Sequence, residues 1–351
     1  MSRRTDPLAQ LPIPLLEWYG EHARKLPWRS DPTAYHVWVS EIMLQQTRVA
    51  AVLDYYLRFM DAAPTVTDLA QLPDEQLMKL WQGLGYYSRA RNLKRAAEQI
   101  VERFGGEFPR GYADIRSLPG VGDYTAGAVS SIAFGQPVPA VDGNVLRVVS
   151  RLTADTSDIT LAATKRQVAE KLGEIIPVAQ PGKFNQAMME LGATVCIPNG
   201  APLCEKCPAA QFCLARENGL TDKLPVKPPK KERRIEERTV FLIFHNEKVA
   251  LRKRPAKGLL AGLWEFPNEL VPADNALDGW GIVGSASSGD TARHIFSHIE
   301  WHMRAVMVEA EGDDLPGGWV WANRQELERQ YAVPNAFRGF ETAVAQRLGY
   351  F

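Results

Sequence analysis

Neither sign of charge dominates this chain: 41 Lys and Arg are matched by 41 Asp and Glu, for a formal net charge of zero. A polycationic chain that coats nucleic acid and an acidic, solvating one are both excluded. Residues 1–222 are balanced too, with 23 basic against 24 acidic side chains, so any polyanion-binding surface must be a local patch. Long apolar runs are also missing. The N-terminal MSRRTDPLAQLPIPLLEWYG is interrupted by Pro12, Pro14 and Glu17, so neither a secretory leader nor a membrane span is expected, and the cytoplasm is the expected compartment. Cysteine is scarce, with four in 351 residues, which excludes a disulfide-built scaffold. What is plentiful is apolar surface: 45% hydrophobic residues suffice for real cores, and the length suggests two or three domains.

The four cysteines, Cys196, Cys204, Cys207 and Cys213, fall within 18 residues. In a cytosolic protein that clustering favours a four-thiolate metal site over disulfides. Spacing alone leaves structural zinc, an iron–sulfur cluster and two local disulfides open.

Between Leu118 and Val149, Pro119, Gly120 and Gly122 make a low-bulk turn ahead of an Ala-rich helical run. Unpaired N–H groups at such a helix start suit one phosphate of a nucleic-acid backbone; an ordinary inter-helix turn is the alternative. Asp142 precedes Gly143 and reads as a turn or N-cap, with Asn144 beside it. From Tyr35 to Phe59 the apolar positions recur at helical spacing. Within that pattern Glu41 adjoins Ile42, Met43 and Leu44, where desolvation would raise a carboxyl pKa; a solvated helix face is the plainer reading. Residues 11–27, 66–104, 161–176 and 184–196 are read as helical. Arg89, Arg91, Lys94 and Arg95 form a basic run, either a solvated face or a set of phosphate contacts.

The strings LPGVGDYTA, VDGNVLRV and SEIMLQQTRVA together resemble the helix-hairpin-helix, or endonuclease III, superfamily of DNA glycosylases, and within it the adenine-excising branch. The resemblance implies a mainly α N-terminal glycosylase region, residues 1–218, with a 4Fe-4S loop at 196–213. The first cysteine gap, seven residues, is one longer than usual there. It implies Glu41 as general acid and Asp142 as the carboxylate facing the sugar, with Asn144 orienting it. Tyr124 stands where lyase members carry a Schiff-base lysine. Gln45, Gln46, Thr47 and Arg48 fall on the turn facing the base pair, with Gln46 as the wedge. Tyr86 matches the residue inserted beside the oxidised base, Gln186 the one that reads the adenine edge, and Gly120 and Gly122 the phosphate turn. Arg24 and Trp28 match positions beside the base pocket, although packing is the default for Trp28 and Arg29. Asn185, Met188 and Glu190 are read as helix packing and surface.

After Cys213 the composition changes. Residues 219–236 carry three prolines and dense charge, which reads as a basic, extended linker. TVFLIFHNEKVALRKR then reads as a hairpin turning at His245–Lys248, followed by strands in HIFSHIEWHMRAVMVEAE and GGWVWA and helices in RQELERQ and AFRGFETAVAQRLG. Residues 237–351 are thus expected to form a smaller α+β domain. It resembles the Nudix-like domain that adenine-excising members use for 8-oxoguanine, with Phe296, Ser297 and His298 as the lesion-contacting loop. No REUxEExGU string follows GLLAGLWEFPNE, so no diphosphate hydrolysis is expected, and His294, His298 and His302 are assigned no metal.

The expected reaction is hydrolysis of the N-glycosidic bond of adenine opposite 8-oxoguanine or guanine in double-stranded DNA, by a flipped-base mechanism. The expected setting is a monomer with no membrane, in a bacterial-type cytoplasm near the nucleoid. One alternative is a bifunctional endonuclease III-like lyase for oxidised pyrimidines, disfavoured by Tyr124 in place of an amine nucleophile. Another is a non-catalytic DNA-binding iron–sulfur module, which has no use for a Glu41–Asp142 pair.

Overall fold

The computed structural model describes residues 6–229 and 232–349. They divide into two compact units: residues up to Gln71 with Asn92–Pro229, and Leu72–Arg91 with the residues after 231. Lys230 and Lys231 of the basic stretch lie outside the described residues.

The first unit is helical. Pro12–His22, Pro27–Ser30, Ala34–Leu44, Val49–Ala62 and Val66–Gln71 precede the break in the chain's course; Tyr112–Arg116, Asp123–Phe134, Gly143–Thr153, Ala162–Ile175 and Pro181–Thr194 follow it. One core gathers Leu11, Leu15, Val145, Val148, Val149, Phe184 and Leu191. Helices 143–153 and 181–194 pack closely because Gly192 has no side chain: a Cβ there would lie 2.6 Å from Asn144 Cβ. The pattern read as one helix from Tyr35 to Phe59 is two helices. Gln45–Arg48 forms the turn between them, and Gln46 takes φ +58°. No glycine or proline marks that turn, so apolar periodicity ran straight through it.

The second unit is built on a seven-stranded sheet: β1 (Arg234–His245), β2 (Lys248–Lys253), β3 (Trp264–Glu265), β4 (Asn268–Leu270), β5 (Gly284–Ile295), β6 (Ile299–Ala310) and β7 (Trp319–Ala322). The order is β3-β2-β1-β6-β5, with β4 also on β1 and β7 on β2. β1 and β6 run parallel, while the other pairs are antiparallel. The β1–β2 hairpin turns at Asn246 and Glu247, both at positive φ, as a two-residue turn with the twist of its strands requires. Alternate β1 residues feed opposite faces: Val240, Leu242 and Phe244 join Trp301 and Phe337, while Phe241 and Ile243 join Ile282 and Val308. Arg324–Arg329 begins with a capping box between Asn323 and Glu326.

Further expectations change. Residues 66–104, read as helical, form three helices, Val66–Gln71, Asp74–Trp81 and Ser88–Phe104, with turns between them. The stretch read as linker is shorter than 219–236, because Leu224 is buried with its carbonyl accepting from Arg151 Nε at 3.0 Å, and β1 starts at Arg234. β5 went unread because its SASSGDTARH is an exposed, polar edge strand without apolar alternation.

Candidate active site

Glu41 lies in helix 34–44, every residue of which from Ala34 to Met43 except His36 is buried. Its Oε2 accepts a hydrogen bond from Tyr124 Oη, and Tyr124 also reaches Met189 Sδ at 3.1 Å. Burial pushes the Glu41 carboxyl up to about 7; the Tyr124 hydrogen bond opposes this and the nearby Asp142 charge adds to it. The Tyr124 phenol is held well above its ordinary range by burial first and by the Glu41 charge second, so it stays a donor.

Asp142 is the N-cap of helix 143–153. Its Oδ1 accepts from Val145 N at 2.8 Å and its Oδ2 from Asn144 Nδ2 at 2.7 Å. Burial raises this carboxyl as well, against the pull of those two donors. Asn144 Oδ1 in turn accepts from Arg147 Nη2 at 2.8 Å. Arg147 Nε donates to the Cys196 carbonyl at 2.7 Å, and Arg151 Nη1 lies 3.3 Å from Cys196 Sγ. An unbroken polar chain therefore runs from the Asp142 carboxylate to the cysteine loop.

Cys196, Cys204, Cys207 and Cys213 are all free thiols lining one cavity, with Val148, Leu152, Leu191 and Arg151 among its walls. Among the described residues no three His, Cys, Asp or Glu side chains are drawn together tightly enough to hold a single metal ion.

The Gln186 side chain accepts from Tyr19 Oη at 3.1 Å. One helical turn further on, Glu190 is 1% exposed and binds Arg24 through Nε at 2.6 Å and Nη2 at 2.9 Å, and Arg29 Nη2 at 2.8 Å. Burial works against the Glu190 charge, yet the two guanidinium groups hold its pKa below the usual range. The surface reading of Glu190 is thus corrected, since a buried carboxylate needs such partners. Trp28 is buried edge-on to Tyr56 at 5.2 Å, as its packing reading requires, and Arg24 is ion-paired with Glu190 while its side chain stays partly exposed. Sequence periodicity missed the Glu190 pair because its partners are more than 160 residues away.

On the turn after helix 34–44, Gln46 and Arg48 are exposed, Gln45 Nε2 reaches Thr125 Oγ1 at 3.4 Å, and Thr47 Oγ1 donates to the Gln45 carbonyl. The hairpin turn forms as read: Gly120 takes φ +75°, where a Cβ would lie 2.7 Å from Asn92 Cβ, and Gly122 caps helix 123–134. Asp123, in that helix's first turn, is paired with Arg116 at 2.5 Å.

The second unit holds Tyr86 and the 296–298 loop. Tyr86 is 46% exposed, and its phenol shares a 3.2 Å hydrogen bond with Ser297 Oγ. Phe296 anchors the loop between His294 and Trp301, at 4.6 and 4.9 Å, leaving Ser297 and His298 exposed. The basic run splits: Arg89 is buried, Arg91 Nη1 donates to the Ala261 carbonyl, Lys94 pairs loosely with Glu98, and Arg95 faces outward.

Residues 39–177 match the family described as HhH-GPD superfamily base excision DNA repair protein, and residues 239–341 match the NUDIX domain. The fold agrees. A thermostable thymine-DNA glycosylase superposes with a TM-score of 0.55 at 28% identity, covering 60% of this chain and 97% of that one. A non-covalent endonuclease III–DNA complex does so at 0.51 and 26%, covering 61% and 98%. The molecule is therefore a base-excision DNA glycosylase joined to a Nudix-like domain. Among whole-chain relatives, the rat adenine DNA glycosylase is 36% identical over 93% of this chain and 77% of its own length. The Arabidopsis thaliana enzyme of the same name is 40% identical over 87% and 57%. The chain belongs to the adenine DNA glycosylase family.

Proposed function

We propose that the enzyme excises adenine opposite 8-oxoguanine or guanine in duplex DNA, with Glu41 as general acid and Asp142 as the carboxylate that stabilises the sugar. The observation that carries this reading is the Glu41 carboxyl, buried, hydrogen-bonded by Tyr124 and lifted to about 7. Adenine leaves poorly as an anion, so protonation at N7 by a group still acidic near neutrality lowers the barrier. Asp142, restrained by Val145 and Asn144, offers negative charge to a developing oxocarbenium ion at C1′. Gln46 serves as wedge and Tyr86 as the stacking residue once the base is flipped. Gln186 reads the adenine edge. Gly120 and Gly122 receive a phosphate, and Ser297 contacts the oxidised base.

Cys196, Cys204, Cys207 and Cys213, four free thiols lining one cavity, would hold a 4Fe-4S cluster, whose four irons each take one thiolate. When bound, the cluster supplies fold energy and order to the loop. An amine at position 124 would be required for the lyase reading, and Tyr124 has none. Single-turnover base release from duplexes with A opposite 8-oxoguanine, A opposite guanine, and thymine glycol tests the proposal. Adenine release from the first two supports it; release of thymine glycol alone overturns it.

A further inference from the structure

We propose that Arg89 is a positioning residue that holds Tyr86 in the conformation from which it enters the base stack. The proposal rests on the reading of Tyr86 as the stacking side chain. Arg89 occupies the first turn of helix Ser88–Phe104, the end at which the helix dipole disfavours a cation. It is nevertheless 9% exposed, buried rather than offered to a phosphate. Its Nη2 donates to two carbonyls, Leu84 O at 3.2 Å and Gly85 O at 3.1 Å, which supply the negative end that the helix start does not. The guanidinium carbon lies 5.4 Å from the Trp81 ring centroid and 5.5 Å from that of Tyr86, so the cation is shared by two aromatic rings.

These contacts converge on a turn whose backbone is unusual. Gly83 and Gly85 take φ +103° and +70°, and Tyr86 itself takes φ +48°, a region that a bulky aromatic occupies only when its surroundings enforce it. Trp81 Nε1 also donates to Gly85 O, at 3.1 Å, and Arg89 N donates to Tyr86 O at 2.9 Å. At the ring's far end the phenol meets Ser297. Tyr86 is thus exposed yet held at its backbone, its face and its hydroxyl, and the ordering that stacking requires is complete before DNA arrives. A guanidinium serves the two carbonyls through one nitrogen while presenting a flat cationic face to the rings; an ammonium, a compact point charge, has no such face.

The test uses the full-length protein with Arg89→Lys, Arg89→Met, Tyr86→Leu and the double variants. The readouts are the ratio of single-turnover excision rates for A opposite 8-oxoguanine and A opposite guanine, the salt dependence of duplex binding, and amide exchange at residues 84–87. Arg89→Lys is expected to lower the ratio about tenfold, to speed exchange at 84–87, and to leave the salt slope unchanged. In the Tyr86→Leu background it should change the ratio no further. Arg89→Met repeats the test if Arg89→Lys folds poorly. An equal loss in both backgrounds, or a salt slope reduced by about one phosphate contact, overturns the proposal while leaving the Tyr86 reading standing. A Tyr86→Leu variant with a native ratio overturns that reading and this proposal with it.

Discussion

Tyr124 donates a hydrogen bond to Glu41 from 83 residues away in the chain, placing a neutral phenol against a carboxyl that burial has lifted to about 7. A phenol at this point keeps the acid in place without neutralising it as a lysine would. Glu41→Gln keeps shape and removes the transferable proton. It is expected to bind duplex as the parent does and to lose adenine excision by about a hundred- to ten-thousandfold, the usual worth of a general acid. Gel-shift and single-turnover assays on one preparation check this, and near-native excision would reject Glu41 as the acid.

The same carboxyl sets a pH dependence. Excision should fall above about pH 7 as Glu41 loses its proton. It should fall on the acid side as Asp142, raised by burial, gains one. For stability the sign is opposite to that of a paired carboxylate. Because Glu41 is raised in the folded state, its contribution is complete below the unfolded value and is lost as pH climbs through about 7. The Glu41→Gln variant should therefore gain on the parent by on the order of 3 kcal/mol between pH 4 and 8, measured by denaturant unfolding across that range.

Asn144 tests the restraint on Asp142. Its amide donates to Asp142 Oδ2 and its carbonyl accepts from Arg147. Asn144→Ala removes a donor that favours the ionised form, so the acid limb of the pH–rate profile should move upward. The neutral-pH rate should drop about tenfold, as expected for a lost hydrogen bond to a charge. An unmoved acid limb would detach Asn144 from the carboxylate's titration.

The cysteine cavity predicts its contents. Aerobically purified protein should carry about four iron and four sulfide per chain and little zinc. Cys204→Ser should lower iron content and melting temperature before it changes the chemical step. One zinc with no sulfide would replace the cluster reading.

Ser297 is exposed on a loop anchored by Phe296, so its hydroxyl can be removed without opening the core, at the cost of its hydrogen bond to Tyr86. Ser297→Ala should reduce the preference for adenine opposite 8-oxoguanine over guanine by about tenfold, the value of one well-placed hydrogen bond. The comparison of the two excision rates is made at one salt concentration. A preserved preference would remove Ser297 from lesion recognition.

Much was legible in the chain because it is local. The hairpin turn needs glycine at 120, where φ is positive and Asn92 leaves no room for a Cβ. Asp142 caps its helix through a residue three positions on, and four cysteines fall within 18 residues, although the cavity they line is walled by Val148, Leu152 and Leu191 from elsewhere in the chain. The β1–β2 hairpin follows from two turn residues and alternating apolar positions. What the chain by itself did not determine depends on residues distant in sequence. Glu41 owes its raised pKa to burial by the surrounding fold, and Glu190 is buried rather than solvated because Arg24 and Arg29 reach it. Arg89 turns inward onto two rings instead of outward to phosphate, and residues 72–91 fold with Ser297 rather than with their sequence neighbours. Composition and periodicity specify which residue types stand where, but desolvation and the choice of partner are set by long-range packing, and only the tertiary structure decides them.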